Sequence, residues 1–474
     1  MKCFYLIGLS LLILSCSSSQ PSSQLTSLPT TGGEKKQFSL RKYEEKKLDN
    51  GLRIIYISDP SLPRIGLQVG IQVGSALENK LEYGVAAMTA SLLETGTVRR
   101  TALQVTNDFA QMGSGFGQSV SEDFVVLSTS GLSLYGSKLV DLFSEVVTEP
   151  HFSSEELQRK KSLFVNRITK EKDEPTQYAA LLLNKELYQN HPYAHSFYGT
   201  EETIKNLKIE NLKHFYAQFF RPEISILTVT GDLSVKLKTQ IENRFSKWKS
   251  TSEIGNRNVM TAKKEKGLHF KLYTRKGLEQ SQIRIGSLAL PRNHPDFLAL
   301  RLANLILGGE FASRLNQHVR DDLGLTYSIS SEIDSRKFAG TFEISTFTRN
   351  EKVTETLLTT YQDVQKFIAE GINEKELRAA KSFLLGQFPL ALETVDRLGY
   401  QLILLRAYGI SDDYLSKFSE NINAITVEQV NRVIRTQLSA DNLKFVVYAD
   451  QDKIHSQFQE IKEKIPFVSF EVVP

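Results

Sequence analysis

A segment beginning at residue 156 of this 474-residue chain returns 220 residues later: Glu156-Leu157-Gln158-Arg159-Lys160-Lys161-Ser162 reappears as Glu376-Leu377-Arg378-Ala379-Ala380-Lys381-Ser382. A second set, Ile204, Leu207, Ile209, Glu210 and Leu212, matches Ile422, Ile425, Val427, Glu428 and Val430 at an offset of 218. Each set then leads into a short apolar stretch, 224–232 and 443–450, that ends in Asp232 and Asp450. Two matches in the same order at nearly one offset define a tandem duplication of a unit of about 210 residues. The polar, charge-rich stretch 250–266 falls where the joint belongs, giving an N-terminal unit over 39–249 and a C-terminal unit over 267–474.

Within each unit the pattern is strands first, then helices. Residues 52–57 and 65–71 alternate or run apolar, as strands do. Helical spacing follows over 82–94 and 103–111, and 124–130 is β-rich. The charged, amphipathic stretch 153–172 reads as a helix ending before Pro175. This predicts an α+β fold: two tandem units, each an antiparallel or mixed sheet with helices packed on one side. With 41% hydrophobic and 24% charged residues, each unit has material for a core. The 58 basic and 54 acidic residues leave +4 without a dense basic block, so nucleic acid is not an expected partner. Only two cysteines occur, Cys3 and Cys16, which excludes a disulfide framework.

Both cysteines belong to an address. Behind Lys2, the apolar run 4–14 is about half the length a membrane-spanning helix needs, and it reads as a signal peptide over 1–15. Leu12-Ile13-Leu14-Ser15-Cys16 resembles the bacterial lipobox, which implies cleavage before Cys16 and lipidation there. Residues 16–38 then form a polar, flexible tether. The expected location is the bacterial cell envelope, lipid-anchored on the periplasmic side, with the outer membrane favoured over the inner. The remaining body has no cysteine, which suits an oxidising compartment.

A family resemblance rests on several motifs together. They are Gly74-Ser75-Ala76, Gly84, Leu92-Leu93-Glu94-Thr95-Gly96-Thr97 and Asn190-His191-Pro192-Tyr193 with Gly199. In the second unit they are Leu307-Gly308-Gly309 with Ser313-Arg314-Leu315, and the run 319–328. Over roughly residues 40 to 470 the chain resembles the insulinase/pitrilysin-type zinc peptidases, which include mitochondrial processing peptidase, and a processing-peptidase-like fold is implied. Active relatives carry H-x-x-E-H, in which two histidines on one helix face bind zinc and the glutamate activates its water. Here those five positions read Ala87-Met88-Thr89-Ala90-Ser91. The third-ligand position, a glutamate in relatives, is Arg167, and Lys160 is also basic. No zinc site of that type is expected, and no other cofactor. His191 and His195 are four apart, but Pro192 disfavours a helix there and they read as loop or surface residues.

What the second unit retains is Arg320 and, seven residues on, Tyr327. The resemblance implies that this pair reaches into a partner's active chamber, holds substrate backbone and stabilises the oxyanion. A guanidinium offers several fixed donors, and a phenol can donate to developing charge. Equally ordinary readings are an ion pair between Arg320 and its acidic neighbours, and a half-buried strand position for Tyr327. Gly308 and Gly309 resemble a substrate-contacting loop of the family's non-catalytic subunits; a helix C-terminal cap is the plain alternative. The leading expectation is a non-catalytic lipoprotein subunit of a two-chain zinc peptidase. Its partners would be a zinc-bearing family member, peptide substrates and, through lipid, a membrane. The alternative is a structural or binding lipoprotein that reuses the fold.

Overall fold

The computed structural model describes residues 40–411 and 413–473, and one compact unit begins at Leu40. The signal peptide, the lipidation site Cys16 and the tether lie outside the described residues. In the first half come β1 (Glu44–Lys47), β2 (Arg53–Ser58), β3 (Arg64–Ile71), α1 (Val85–Leu93), α2 (Ala102–Gln111), β4 (Gly117–Val120) and β5 (Val125–Leu132). Then follow α3 (Gly136–Thr148), α4 (Ser154–Asp173), α5 (Pro175–Tyr188), α6 (Glu201–Asn206), α7 (Ile209–Phe219), β6 (Ser225–Gly231) and α8 (Val235–Phe245). No helix or strand occurs over 250–266.

The second half opens with β7 (His269–Thr274), β8 (Gln280–Ala289), α9 (Phe297–Asn304), β9 (Ile329–Ser335) and β10 (Gly340–Arg349). Next are α10 (Val353–Glu370), α11 (Glu374–Ala391), α12 (Val395–Ala407), α13 (Asp413–Ser416), α14 (Phe418–Ala424) and α15 (Val427–Gln437). It closes with β11 (Lys444–Ala449), α16 (Gln451–Ile454), α17 (Phe458–Lys464) and β12 (Ser469–Val473). Among the described residues no helix is long and apolar enough to cross a membrane.

The repeated segments start matching helices. Ser153 caps α4 through the Glu156 amide, and Asn373 caps α11 with Glu376 reaching back to the cap. Leu157 and Leu377 then both turn into the core. Each half builds a six-stranded sheet, in the orders β1-β2-β6-β3-β5-β4 and β12-β7-β11-β8-β10-β9. In both, one inner pair is parallel, β2 with β6 and β7 with β11, and the next strands run antiparallel. The edges differ. β1 precedes its sheet and pairs antiparallel with β2, whereas β12 arrives from the C-terminus and lies parallel to β7.

Strand alternation sorts side chains between two buried faces. Ile54 and Tyr56 of β2 join the first half's own helices, while Ile55 and Ile57 join a core dominated by the second half. Val125 and Leu127 against Phe124 and Val126 divide the same way. In sheet 2, Phe445 and Val447 face the half's own helices, but Val446 and Tyr448 pack with Ala179, Leu182, Leu183 and Leu187 of α5. Thus α5 covers the second face of the other half's sheet, and α12 does the reverse. The expectation of helices on one side describes each half alone; the second face is apolar too, and a helix from the other half buries it.

Close backbone contact marks the exchange. Arg284 of β8 donates to the Thr176 carbonyl of α5 at 2.7 Å and pairs with Glu343 at 3.0 Å, so its buried charge is satisfied. Asp396 of α12 pairs with Arg64 at 2.6 Å and accepts from Thr230. A Cβ at Gly70 would overlap the Ile403 side chain of α12. Gly70→Ala should therefore destabilise the protein by about 1–3 kcal/mol in urea unfolding, and Gly70→Ala with Ile403→Ala should recover part of that loss. Strict additivity of the two changes would contradict the packing described.

Candidate functional site

Two glycines set the entry to α1. Gly84 caps the helix at φ 95°, and Gly199, at φ 78°, lies so close that a Cβ there would overlap the Tyr83 carbonyl. Glu78 accepts the Gly84 and Ala86 amides, both at 2.8 Å, at the positive end of the helix. Burial pushes its carboxyl up to about 8, against the pull of those two amides. All nine residues of α1 are buried. Ala87 and Ala90 present only methyl groups, and the Ser91 hydroxyl donates back to the Met88 carbonyl at 2.9 Å. Arg167, on α4, lies at the surface with its guanidinium 4.1 Å above the centre of the Tyr198 ring. Lys160 pairs with Glu94 at 2.9 Å. These positions offer packing and cations, not an anionic ligand set. Among the described residues no group of three or more His, Cys, Asp or Glu could hold a metal ion.

The loop after α5 corrects one expectation. His195 is half-buried and stacks on Tyr83 at 3.6 Å, but His191 is only 3% exposed and is no surface residue. Its Nδ1 accepts the Tyr193 amide at 3.1 Å, capping the short turn Pro192–Ala194. Tyr193 donates to Asp123, whose other oxygen accepts the Lys337 amide of the second half at 2.8 Å. Arg336 pairs with Glu122 at 3.1 Å and lies over the rings of Tyr188 and Tyr193. This polar cluster fastens the two halves to each other.

Arg320 and Tyr327 do come together, with a third residue that the sequence reading passed over. The helix α9 runs into a π-turn over Leu305–Gly309, and a second π-turn, Asn316–Asp322, carries Arg320. The Arg320 guanidinium lies 4.5 Å from the centre of the Phe311 ring and 6.0 Å from that of Tyr327. Phe311 is 71% and Tyr327 81% exposed, so the phenol is in the open rather than half-buried on a strand. It sits in the loop before β9, held on both sides. Thr326 donates to the Phe347 carbonyl at 2.6 Å, and Thr346 donates to the Ser328 carbonyl at 2.9 Å. The ion pair of Arg320 with Asp321 is loose, at 3.9 Å. Gly308 is buried against β9, where a Cβ would press on Ser331, while Gly309 is exposed beside it. An exposed large aromatic next to Arg320 was the available signal for Phe311.

Two matched halves, each a six-stranded mixed sheet with its helices, are thus what the geometry defines. The comparisons with known proteins agree. Residues 53–201 match the model described as insulinase (peptidase family M16), and residues 206–384 match that of the peptidase M16 inactive domain. The chain belongs to the M16 peptidase family. The "uncharacterized zinc protease YmxG" of Bacillus subtilis is 25% identical over 397 residues, covering 83% of this chain and 95% of the relative. A "non-peptidase homolog YmxG" of Helicobacter pylori is 24% identical over 407 residues, 84% of this chain and 92% of the relative. Among solved structures, a peptidase M16 inactive domain from Pseudomonas fluorescens has a TM-score of 0.79 and 27% identity, covering 86% of this chain and 98% of that one. The periplasmic protease PqqL from Escherichia coli shares the fold, with a TM-score of 0.74 and 16% identity over 91% of this chain and 51% of that one.

Burial lowers the pKa of His191 to about 4, below its ordinary 6.5, so the folded protein holds it neutral. An unfolded chain takes up that proton below about pH 6.5. The stability this supplies is complete above pH 6.5 and is lost as pH falls toward 4. His191→Asn keeps the cap but cannot titrate. Between pH 7 and 4.5 the wild type should lose about 1–2 kcal/mol more than the variant in urea unfolding, allowing for solvent screening. Equal losses would contradict the assignment.

Proposed function

We propose that this chain is a non-catalytic lipoprotein subunit of a two-chain zinc metallopeptidase on the periplasmic side of a bacterial envelope. A zinc-bearing family member faces it, and the pair degrades or processes peptides. The observation that carries the reading is the exposed Arg320–Tyr327 pair, set in fixed loops of a chain whose own zinc positions are Ala87, Ala90, Ser91 and Arg167. Among the described residues the Tyr327 hydroxyl makes no hydrogen bond, so folding does not employ it, whereas a substrate can.

In the complex, Arg320 donates to peptide carbonyls, and its charge strengthens those bonds. Tyr327 donates its phenolic hydrogen toward the carbonyl oxygen of the bound peptide, where negative charge would develop during cleavage. Gly309, exposed beside the buried Gly308, lets a substrate backbone pass close to this rim. The zinc supplies the nucleophile and belongs to the partner. Being named a periplasmic protease, the Escherichia coli structural relative supports the compartment.

The test is co-expression with an H-x-x-E-H-bearing M16 chain from the same genome. The two should co-purify, and the pair should cleave peptides that neither chain cleaves alone. Tyr327→Phe should lower kcat on the order of 10² to 10³-fold with the complex intact by gel filtration. Arg320→Ala should raise KM as well. Full activity of both variants in an intact complex would reduce this chain to a chamber wall. Failure of the wild type to bind any zinc-bearing chain would favour a structural lipoprotein.

A further inference from the structure

Exposed aliphatic side chains scattered singly are normal, but here a group of them gathers at one end of sheet 1. Leu62, Leu132, Leu134, Val235 and Leu390 have between 52% and 82% of their surface exposed. Arg64 is the centre of the group. It pairs in register with Leu132, and the Ser133 amide donates to the Pro63 carbonyl at 2.9 Å. The Asp232 amide donates to the Arg64 carbonyl at 2.9 Å, which brings in the start of α8 and Val235. Gln240 of α8 reaches the Ser137 carbonyl at 3.0 Å, placing Val235 beside the turn that carries Leu134. The Arg64 guanidinium pairs with Asp396, and the adjacent Arg397 donates to the Leu390 carbonyl at 2.8 Å.

Two further observations say what this surface meets. Exposed lysines flank it: Lys42, Lys138 and Lys236 make no ion pair among the described residues. The polypeptide that leads back to Cys16 also joins the fold here. Arg41, the second described residue, pairs with Asp59, and the Asp59 amide donates to the Gly231 carbonyl at 2.8 Å, beside Arg64. Twenty-four residues, 16–39, lead from Cys16 to Leu40, so an anchor at Cys16 keeps this end of the fold within the reach of a linker of that length from the lipid.

We propose that this end of sheet 1 is seated on a phospholipid bilayer, with the five aliphatic tips in the headgroup boundary and the lysines against anionic phosphates. The inference rests on the lipid-anchor reading of Cys16 and adds an orientation to it. β3 runs from this end toward the loop that enters α1, so the opposite end of the sheet points away from the membrane.

Removal of Cys3 with the signal peptide and lipidation of Cys16 leave the mature chain no free thiol, so Leu134→Cys supplies a unique labelling site. The control is Asp49→Cys, in the β1–β2 turn at the far end of α8, where Asn50 donates to the Phe245 carbonyl at 2.8 Å. Full-length chains, their lipid checked by intact mass, are labelled with bimane. They are then reconstituted on phosphatidylethanolamine–phosphatidylglycerol vesicles containing headgroup-depth nitroxide lipid. The Leu134 label should shift to the blue and lose at least half its emission, and the Asp49 label should not change. A lipidated protein whose two labels behave alike overturns the docking and leaves the anchor standing. A Cys16 without lipid overturns both. A concentration-dependent shift in the Cys3→Ser, Cys16→Ser chain without vesicles assigns the patch to a protein contact and overturns the bilayer.

Discussion

Each sheet of this protein is apolar on both faces, and neither half has enough helices of its own to cover the second. That constraint produces the exchange of α5 and α12. Ile55, Ile57 and Phe124 are buried only because the second half packs over them, and Val446 and Tyr448 only because α5 lies on them. Cut at 250–266, each half would expose a full sheet face, a loss far larger than any single contact between the halves could offset. The polar cluster of Asp123, Tyr193 and Arg336 adds direction to this non-directional burial, because its hydrogen bonds form in one register.

The same exchange lets the two halves diverge without separating. In the first half α1 is a packing helix, with Ala87 and Ala90 closing against the core and Ser91 bonded to its own turn. Arg167 rests on Tyr198. The second half keeps a fixed, exposed group of Phe311, Arg320 and Tyr327, on loops stabilised by threonine hydroxyls.

Much of this was legible in the sequence. The duplication and the strand and helix classes follow from spacing and residue type, and the family resemblance alone implied a lost zinc motif at Ala87, Ala90, Ser91 and Arg167. The helix exchange was not legible. An apolar run such as 225–231 shows that both faces of a strand are buried, but not which helix buries the second. His191 does lie in a loop, as the sequence implied, but it is buried because the joint between the halves covers that loop. The half-buried strand position that was one alternative for Tyr327 does not hold, because Thr326 and Thr346 pin the segment as an open loop against β10. Phe311 was passed over because an aromatic residue in sequence does not reveal whether its ring is in the core or in solvent.

The central claim is that the Phe311–Arg320–Tyr327 face meets a zinc-bearing chain and its substrate. Replacing Phe311 in living cells with a photo-reactive benzoylphenylalanine tests it directly, since that position is exposed and makes no hydrogen bond through its side chain. After irradiation, mass spectrometry of the cross-linked species should find an M16 chain carrying H-x-x-E-H, or a peptide bound between the two. Cross-links confined to unrelated envelope proteins, or none at all beside a normally folded protein, would contradict the account.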